Sequence, residues 1–395
     1  MGGSIFGKIF RISSFGESHG KALGVVVDGC PAGLSLSEAD IQPYLERRRP
    51  GKNLKMTQRK EGDQVEILSG VFQGRTTGTP IALMVRNEDQ RSKDYGDIAE
   101  SFRPGHADYG FFSKYGFRDY RGGGRSSGRE TLARVAAGAI AKKILQELQV
   151  EVDAKVMELA GISLSTSEGR EEADARILKL REEGDSAGGV VECRVNGLFP
   201  GVGEPVFDKL DARIAEGIMS IGAVKAVEIG DGVAASKALG SENNDSFFVD
   251  DNFPESRRKH SSAGELDKID KIDELDDADD REKTVAEGDC FLRNHPLRLQ
   301  KKTNHSGGIL GGMSDGSEIL IRASFKPTPS ISKVQNTVRE SGESISIKIM
   351  GRHDPTVVER AAVVVEAMTA IVILDCLLEN MSARIENIKK VYRKG

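Results

Sequence analysis

The run from Val363 to Leu378 is apolar along its length and carries charge only at Glu366 and Asp375. Those two carboxylates argue against a membrane span, so the run reads as a buried helix around which other elements must pack. It sits within a longer helical pattern, Thr356 to Glu379, for which Asp354 is the expected N-cap and Pro355 the first helical position. A chain of 395 residues with 38% hydrophobic content can bury a large core, and its length alone allows one large domain or two to three smaller ones.

Strand-like runs rich in β-branched residues are predicted at Gly24–Cys30, Gln64–Phe72, Ile81–Asn87, Val190–Leu198, Val224–Gly230, Glu318–Phe325 and Ile345–Met350. Helices are predicted at Ser37–Arg48, Arg129–Leu148, Glu171–Glu183 and Val206–Met219 as well. Strands and helices mix without strict alternation, and no GxGxxG joins a strand to a helix, so an open dinucleotide-binding sheet is excluded and α+β is expected. From Ser241 to Lys302 the chain is polar and acid-rich, with Asp273 to Asp280 its densest part, and reads as a mobile surface loop.

Net charge is −5 and the isoelectric point about 5.9. A protein-wide attraction to nucleic acid or to an acidic membrane is therefore not expected, and any basic site must be local. Cys30, Cys193, Cys290 and Cys376 are far apart and form no CxxC pair, which fits a reducing cytoplasm better than a disulfide framework or a zinc site. Met1 to Phe10 lacks the basic-then-apolar pattern of a signal peptide.

Local basic sites are present. Arg121-Gly-Gly-Gly-Arg125-Ser126-Ser127-Gly-Arg129-Glu130 opens into the helix pattern, and Ser127 with Glu130 has capping-box spacing. Free N–H groups, the positive end of a helix dipole and three arginines together suit a phosphate, and crowded arginines without counter-charge call for an anion. A second basic cluster, Arg47-Arg48-Arg49-Pro50-Gly51-Lys52 followed by Lys55, Arg59 and Lys60, suits a multiply anionic small molecule, although for any single arginine a solvated helix end is the simpler reading. His19 and His106 stand in Gly-flanked loops, Phe15-Gly-Glu-Ser-His19-Gly and Arg103-Pro-Gly-His106-Ala-Asp108, as acid or base candidates. No HxH or HExxH spacing supports a metal. Thr303 to Gly312, Lys326 to Ser330 and Gly351-Arg352-His353-Asp354-Pro355 add side-chain-poor backbone and one more cluster of arginine, histidine and carboxylate. An RNA-binding reading of the Arg–Gly stretch lacks stacking aromatics, and a phosphoryl-transfer reading lacks a GxxxxGK[ST] loop and metal-binding acids.

Taken in order, Phe15–Gly20, Arg47–Gly51, Arg103–Asp108, Asp119–Ser127, Lys326–Ser330 and Gly351–Pro355 resemble the chorismate synthase family over nearly the whole chain apart from Ser241–Lys302. The resemblance implies a single-domain β-α-β sandwich, a helical core between antiparallel sheets, assembled as a homotetramer. It implies a lyase that forms chorismate from 5-enolpyruvylshikimate 3-phosphate by 1,4-anti elimination of phosphate, with reduced FMN as cofactor. It further implies that His19 is the acid toward the departing phosphate, that His106 stabilises the reduced flavin, and that Asp354 helps take the proton at flavin N5. Ser18, Arg48, Arg49, Arg129 and Arg352 would bind substrate. Arg125, Ser126, Ser127, Gly222, Ala223, Gly311, Lys326, Pro327, Thr328, Pro329, Ser330 and Arg352 would bind FMN. Some members reduce the flavin with NADPH and others use an external flavin reductase; where many relatives carry an arginine after the RRRPG motif, this chain has Leu54.

Overall fold

The computed structural model describes residues 3–49, 62–87, 98–249, 299–349 and 354–392. Arg352, His353, Cys290, the stretch from Pro50 through Lys60 with Leu54, and most of the acidic 241–302 segment lie outside the described residues.

Two five-stranded antiparallel sheets enclose a layer of helices. The first contains β1 (Ile5–Phe6), β2 (Arg11–Gly16), β3 (Ala22–Asp28), β4 (Val65–Ile67) and, after a small hairpin of β5 (Val71–Phe72) and β6 (Arg75–Thr76), β7 (Ile81–Arg86), in the order β1-β2-β3-β7-β4. The second contains β8 (Glu151–Leu159), β9 (Ile162–Ser163), β10 (Gly189–Asn196), β11 (Val224–Ile229) and β16 (Ile319–Phe325), in the order β11-β16-β10-β8-β9. Among the described residues three two-stranded ribbons complete the strands: β12 (Phe247–Val249) with β13 (Leu299–Lys301), β14 (Ile309–Leu310) with β15 (Met313–Ser314), and β17 (Val334–Val338) with β18 (Ser344–Lys348).

Period-two burial explains why each sheet turns one face inward. Along β16, Ile319, Ile321, Ala323 and Phe325 are buried while Leu320, Arg322 and Ser324 are only partly so; along β7, Ile81, Leu83 and Val85 are buried in the same alternation. The first sheet packs on α1 (Glu38–Arg48) and α3 (Thr131–Glu147), and the second on α5 (Leu210–Met219) and the central helix, Val358–Asn380. The expected α+β sandwich is thereby observed. By length and composition the central helix could cross a membrane, yet 89% of its apolar window is buried inside the protein, as the carboxylates in its run predict. Gly138 of α3 lets it come close: a Cβ there would sit 2.4 Å from the Cβ of Ala367.

The two charges that interrupt the run are the helix's ties to its neighbours. Buried Glu366 takes both Arg47 Nη1 and Nη2, at 2.9 and 2.7 Å, along with Lys142 of α3 and the backbone N–H of Ala154 in β8. Asp375 accepts from the backbone N–H groups of Lys8, Ile9 and Phe10 and pairs with Arg213 of α5. A further clasp closes the base of the acidic segment, where Asp245 accepts from Thr303 Oγ1 and from the backbone N–H groups of His305 and Ser306, and buried Lys301 bridges Asp245 and Asp315.

Several local expectations change. The central helix starts at Val358 with Val357 at its N-cap, so Pro355 is not its first residue and Asp354 does not cap it, because that carboxylate is taken by Arg360. The Ser127–Glu130 capping box does not form: Ser127 Oγ accepts from Arg129 N at the start of a 3₁₀ turn, while Glu130 turns to Arg134. The α5 helix begins at Leu210 because Val206 adopts a left-handed φ of 70° that no α-helix accommodates, and α4 (Ser167–Glu182) begins earlier than its apolar pattern, capped by Thr166. Among the longer strands β2, β8 and β17 were not anticipated, nor were the two- and three-residue strands β1, β6, β9, β12, β13, β14 and β15.

Burial alone would raise the Glu366 carboxyl, but Arg47 and Lys142 hold it below its ordinary value. A depressed folded pKa contributes stability above the unfolded value, lost as pH falls through the folded one. Glu366→Gln is therefore expected to cost about 3–5 kcal/mol in denaturant melts at neutral pH, with the cost shrinking as pH is lowered below about 4.5.

Candidate active site

A cavity of 1320 Å³ opens where the helical layer meets the loops Gly122–Gly128, Gly105–Asp108, Gly222–Ala223 and Lys326–Ser330. That volume exceeds the usual range for one small ligand. Two helix N-termini reach it, since Thr131 at the start of α3 and Val357 at the start of the central helix both line it.

Three consecutive glycines build its floor. Gly122, Gly123 and Gly124 have φ of 59°, 86° and 53°, left-handed values that side chains strain against. Space forbids a side chain as well: a Cβ on Gly122 would lie 2.3 Å from His19 Cε1, and one on Gly123 would lie 3.1 Å from His106 Nε2. The two histidines predicted from separate motifs thus meet the same turn at adjacent residues. His19 is buried behind Gly122, with Ser18 Oγ 3.1 Å from its Nδ1 and donating to the Gly122 carbonyl. His106 lines the cavity itself.

The charges follow a different pattern from the one the sequence suggested. Arg121, Arg125 and Arg129 do not crowd without partners. Arg121 is exposed and bound to Asp119; Arg125 reaches back to the Gly16 carbonyl at 3.0 Å and Ser14 Oγ at 2.6 Å; Arg129 holds Asp63 Oδ1 and Asn87 Oδ1. In the second cluster Arg47 is committed to Glu366 in the core, while Arg48 is 1% exposed and bound through Nη2 to Asp63 Oδ2 at 2.6 Å. Asp63 thereby clamps Arg48 and Arg129 side by side. Nε and Nη1 of Arg48 are buried without a hydrogen-bond partner, a costly arrangement that an anionic ligand would relieve. Beside this pair Arg360 donates to Asp354 Oδ2 and, through Nε, to the Arg48 carbonyl.

The 326–330 loop ties this wall together: Lys326 Nζ donates to the Gly105 carbonyl, Thr328 Oγ1 to the Asp354 carbonyl, and Lys326 N to the Ala223 carbonyl. Among the anticipated residues, Arg48, His106, Arg125, Ser126, Ser127, Arg129, Gly222, Ala223, Lys326, Thr328, Pro329, Ser330 and Asp354 line the cavity. Ser18 and His19 stand directly behind it, Arg49 ends α1 without lining it, and Pro327 and Gly311 do not line it, Gly311 lying in the β14–β15 turn. Asp63, Asp108, Asn87 and Arg360 were not singled out from sequence. Asp108 stood in a visible motif, but Asp63 and Arg360 join residues far apart in the chain, a relation that no local spacing carries. Among the described residues no cluster of His, Cys, Asp and Glu could hold a metal ion.

The family model for chorismate synthase matches residues 10–378. A chorismate synthase from Lachnospira eligens is 50% identical with all of both chains covered, and one from Methanocella arvoryzae is 47% identical over 96% of this chain and 95% of its own. A crystal structure of a chorismate synthase superposes with a TM-score of 0.67 at 29% identity, covering 98% of this chain and 96% of that one.

Because Gly122 has neither the φ nor the space for a Cβ, Gly122→Ala is expected to displace His19 and weaken binding of a phosphate-bearing ligand roughly tenfold or more by calorimetry, with an unchanged far-ultraviolet circular dichroism spectrum.

Proposed function

The chain belongs to the chorismate synthase family, a lyase that eliminates phosphate from 5-enolpyruvylshikimate 3-phosphate in the shikimate pathway, and on that premise we propose how its own residues carry the reaction. The observation that carries the assignment is the glycine turn that packs His106 on its cavity side and His19 directly behind it, with the unanswered donors of Arg48 in the same cavity.

The family uses reduced FMN, and the site fits such a group. Gly122 and Gly123 leave a side-chain-free floor, the volume admits a planar ring beside a substrate, and nine lysine and arginine side chains line the cavity against six carboxylates, Asp108 and Asp354 among them. Arg125, Ser126, Ser127, Gly222, Ala223 and Lys326 with Thr328, Pro329 and Ser330 are the residues that would hold it. Reduced FMN, when bound, supplies electron density while phosphate leaves and regains it when the C–H bond breaks, with no net redox change.

Arg48 and Arg129, pre-set by Asp63, take the substrate's anionic groups, with Arg352 joining them by the family resemblance, while Ser18 acts from behind the wall through His19 and Arg49 stays outside the lining. Fixed cations in a partly dry cavity offset the repulsion between a trianionic substrate and an anionic cofactor and favour charge moving onto the departing phosphate. His19 gives its proton to that phosphate, Ser18 orienting the ring through Nδ1. Asp354, fixed by Arg360, would help take the proton that the breaking ring C–H bond delivers to the cofactor side. His106, with Nε2 beside Gly123 on the cavity lining, would stabilise the reduced flavin.

In the same reading the enzyme is a cytoplasmic homotetramer. Three free, buried cysteines suit a reducing compartment, and exposed apolar side chains such as Phe117 and Phe207 suit an assembly that would cover them. NADPH or an external flavin reductase supplies the reducing equivalents.

Anaerobic turnover with dithionite-reduced FMN, followed by chorismate absorbance, tests the reading. Product is expected with reduced and not oxidised flavin, and folded, flavin-saturated protein that makes none refutes it. His19→Ala and His106→Ala are expected to lose about 10²- to 10⁴-fold in kcat with unchanged melting temperatures. Asp354→Ala is expected to lose both activity and stability, the latter because Arg360 is left buried without its carboxylate.

A further inference from the structure

The roles above leave Asp108 without a task, although it is the most heavily engaged carboxylate at the cavity. It is buried, and it accepts from Arg103 Nε at 2.7 Å, Arg103 Nη2 at 2.8 Å and the Arg103 backbone N–H at 3.1 Å, with Arg118 Nη1 at 3.5 Å. Its Oδ1 also lies 2.9 Å from His106 Nδ1.

These contacts decide where the imidazole carries its proton. Against the opposing effect of burial, hydrogen bonds from Arg103 and then the His106 ring hold the Asp108 carboxyl far below its ordinary range, so it can only accept. The His106 contact then requires Nδ1–H as donor. Arg103 Nη2, 3.1 Å from the same nitrogen, gives one of its two hydrogens to Asp108 Oδ1; turning the other onto a bare Nδ1 would leave that lone pair facing the Asp108 carboxylate at 2.9 Å, so the shorter contact decides for Nδ1–H. Nε2 is left as a bare lone pair beside Gly123, on the cavity side.

We propose that Asp108 is a positioning residue that locks His106 in the Nδ1–H tautomer and supplies the counter-charge that lets Nε2 gain a proton when an anionic ligand arrives. The groups facing His106 set that balance: Asp108 favours its charged form, Arg103 and Arg118 oppose it, and Lys326, anchored on the neighbouring Gly105 carbonyl, adds positive charge from the β16 side. Burial is the largest influence and places the ligand-free imidazole below its ordinary value, hence neutral at neutral pH. A bound anion shifts the balance toward the charged ring, so binding takes up a proton. Without Asp108 the same uptake would need a more acidic medium.

This inference rests on His106 facing the ligand, and its test is independent of turnover. In selectively ¹⁵N-histidine-labelled, ligand-free protein, with His106 assigned from the loss of its signals in His106→Gln, the wild type should show protonated Nδ1 and unprotonated Nε2 above its titration midpoint. In Asp108→Asn the midpoint should fall by about one pH unit or more, and FMN affinity at pH 7 should fall with it. Asp108→Glu, which keeps the charge, should restore part of both and guards against a folding defect in the asparagine variant. A wild-type Nε2–H tautomer, or an unmoved midpoint in folded Asp108→Asn, overturns the proposal. A fully active His106→Ala would instead overturn the ligand-facing reading, and the spectrum would still decide what Asp108 does.

Discussion

A helix with no polar face must be covered on every side, and that single requirement arranges the protein. One sheet cannot cover it, because a sheet meets only one side of a cylinder. The central helix is met by the second sheet on one side and by α1, α3 and α5 on others, and α3 in turn presents its far face to the first sheet. Close packing at Gly138 against Ala367 then fixes how α3 and the central helix slide along each other. Glu366 and Asp375 do not weaken this arrangement, since each is saturated by donors from neighbouring elements, and a paired buried charge favours one packing over its alternatives.

Chemistry at the cavity depends on that register. Thr131 lies seven residues before Gly138, and Val358 lies nine before Ala367, so both helix starts stand about two turns from the crossing. Both point their positive ends into the same space. The glycine turn hangs from one of these starts and Asp354 from the other. A displacement at the crossing would therefore separate groups that must act on one substrate, although no reacting group lies in the crossing itself.

Much of this was legible in residue types. Glycine and histidine in short motifs marked the floor of the cavity, because a left-handed turn and a titratable ring have few substitutes. Strands such as β7 and β16 read clearly because their apolar, β-branched runs are bounded by turn residues, Pro80 and Asn87 for the one and Gly316 and Pro327 for the other. β8 hid its period: Glu151, Asp153 and Lys155 place charge along a face that the eye takes for loop. The partners of the arginines were the least visible. Arg125 is answered by a backbone carbonyl and a hydroxyl of β2, and Asp63 reaches Arg129 across 66 positions of sequence. Asp354 shows the converse, a residue of the right type for a cap that tertiary pairing claimed for Arg360. Local rules recognise what a residue can do, and the fold chooses among those options.

The clasp around Asp245 has a consequence for the evolution and engineering of this chain. It joins β12 to β13 through a buried lysine and a fan of backbone donors, so the two ends of the intervening tract are held a ribbon's width apart whatever runs between them. A sequence inserted between β12 and β13 would therefore leave from and return to backbone that the fold already holds in register, which makes this junction a natural port for grafting a foreign one.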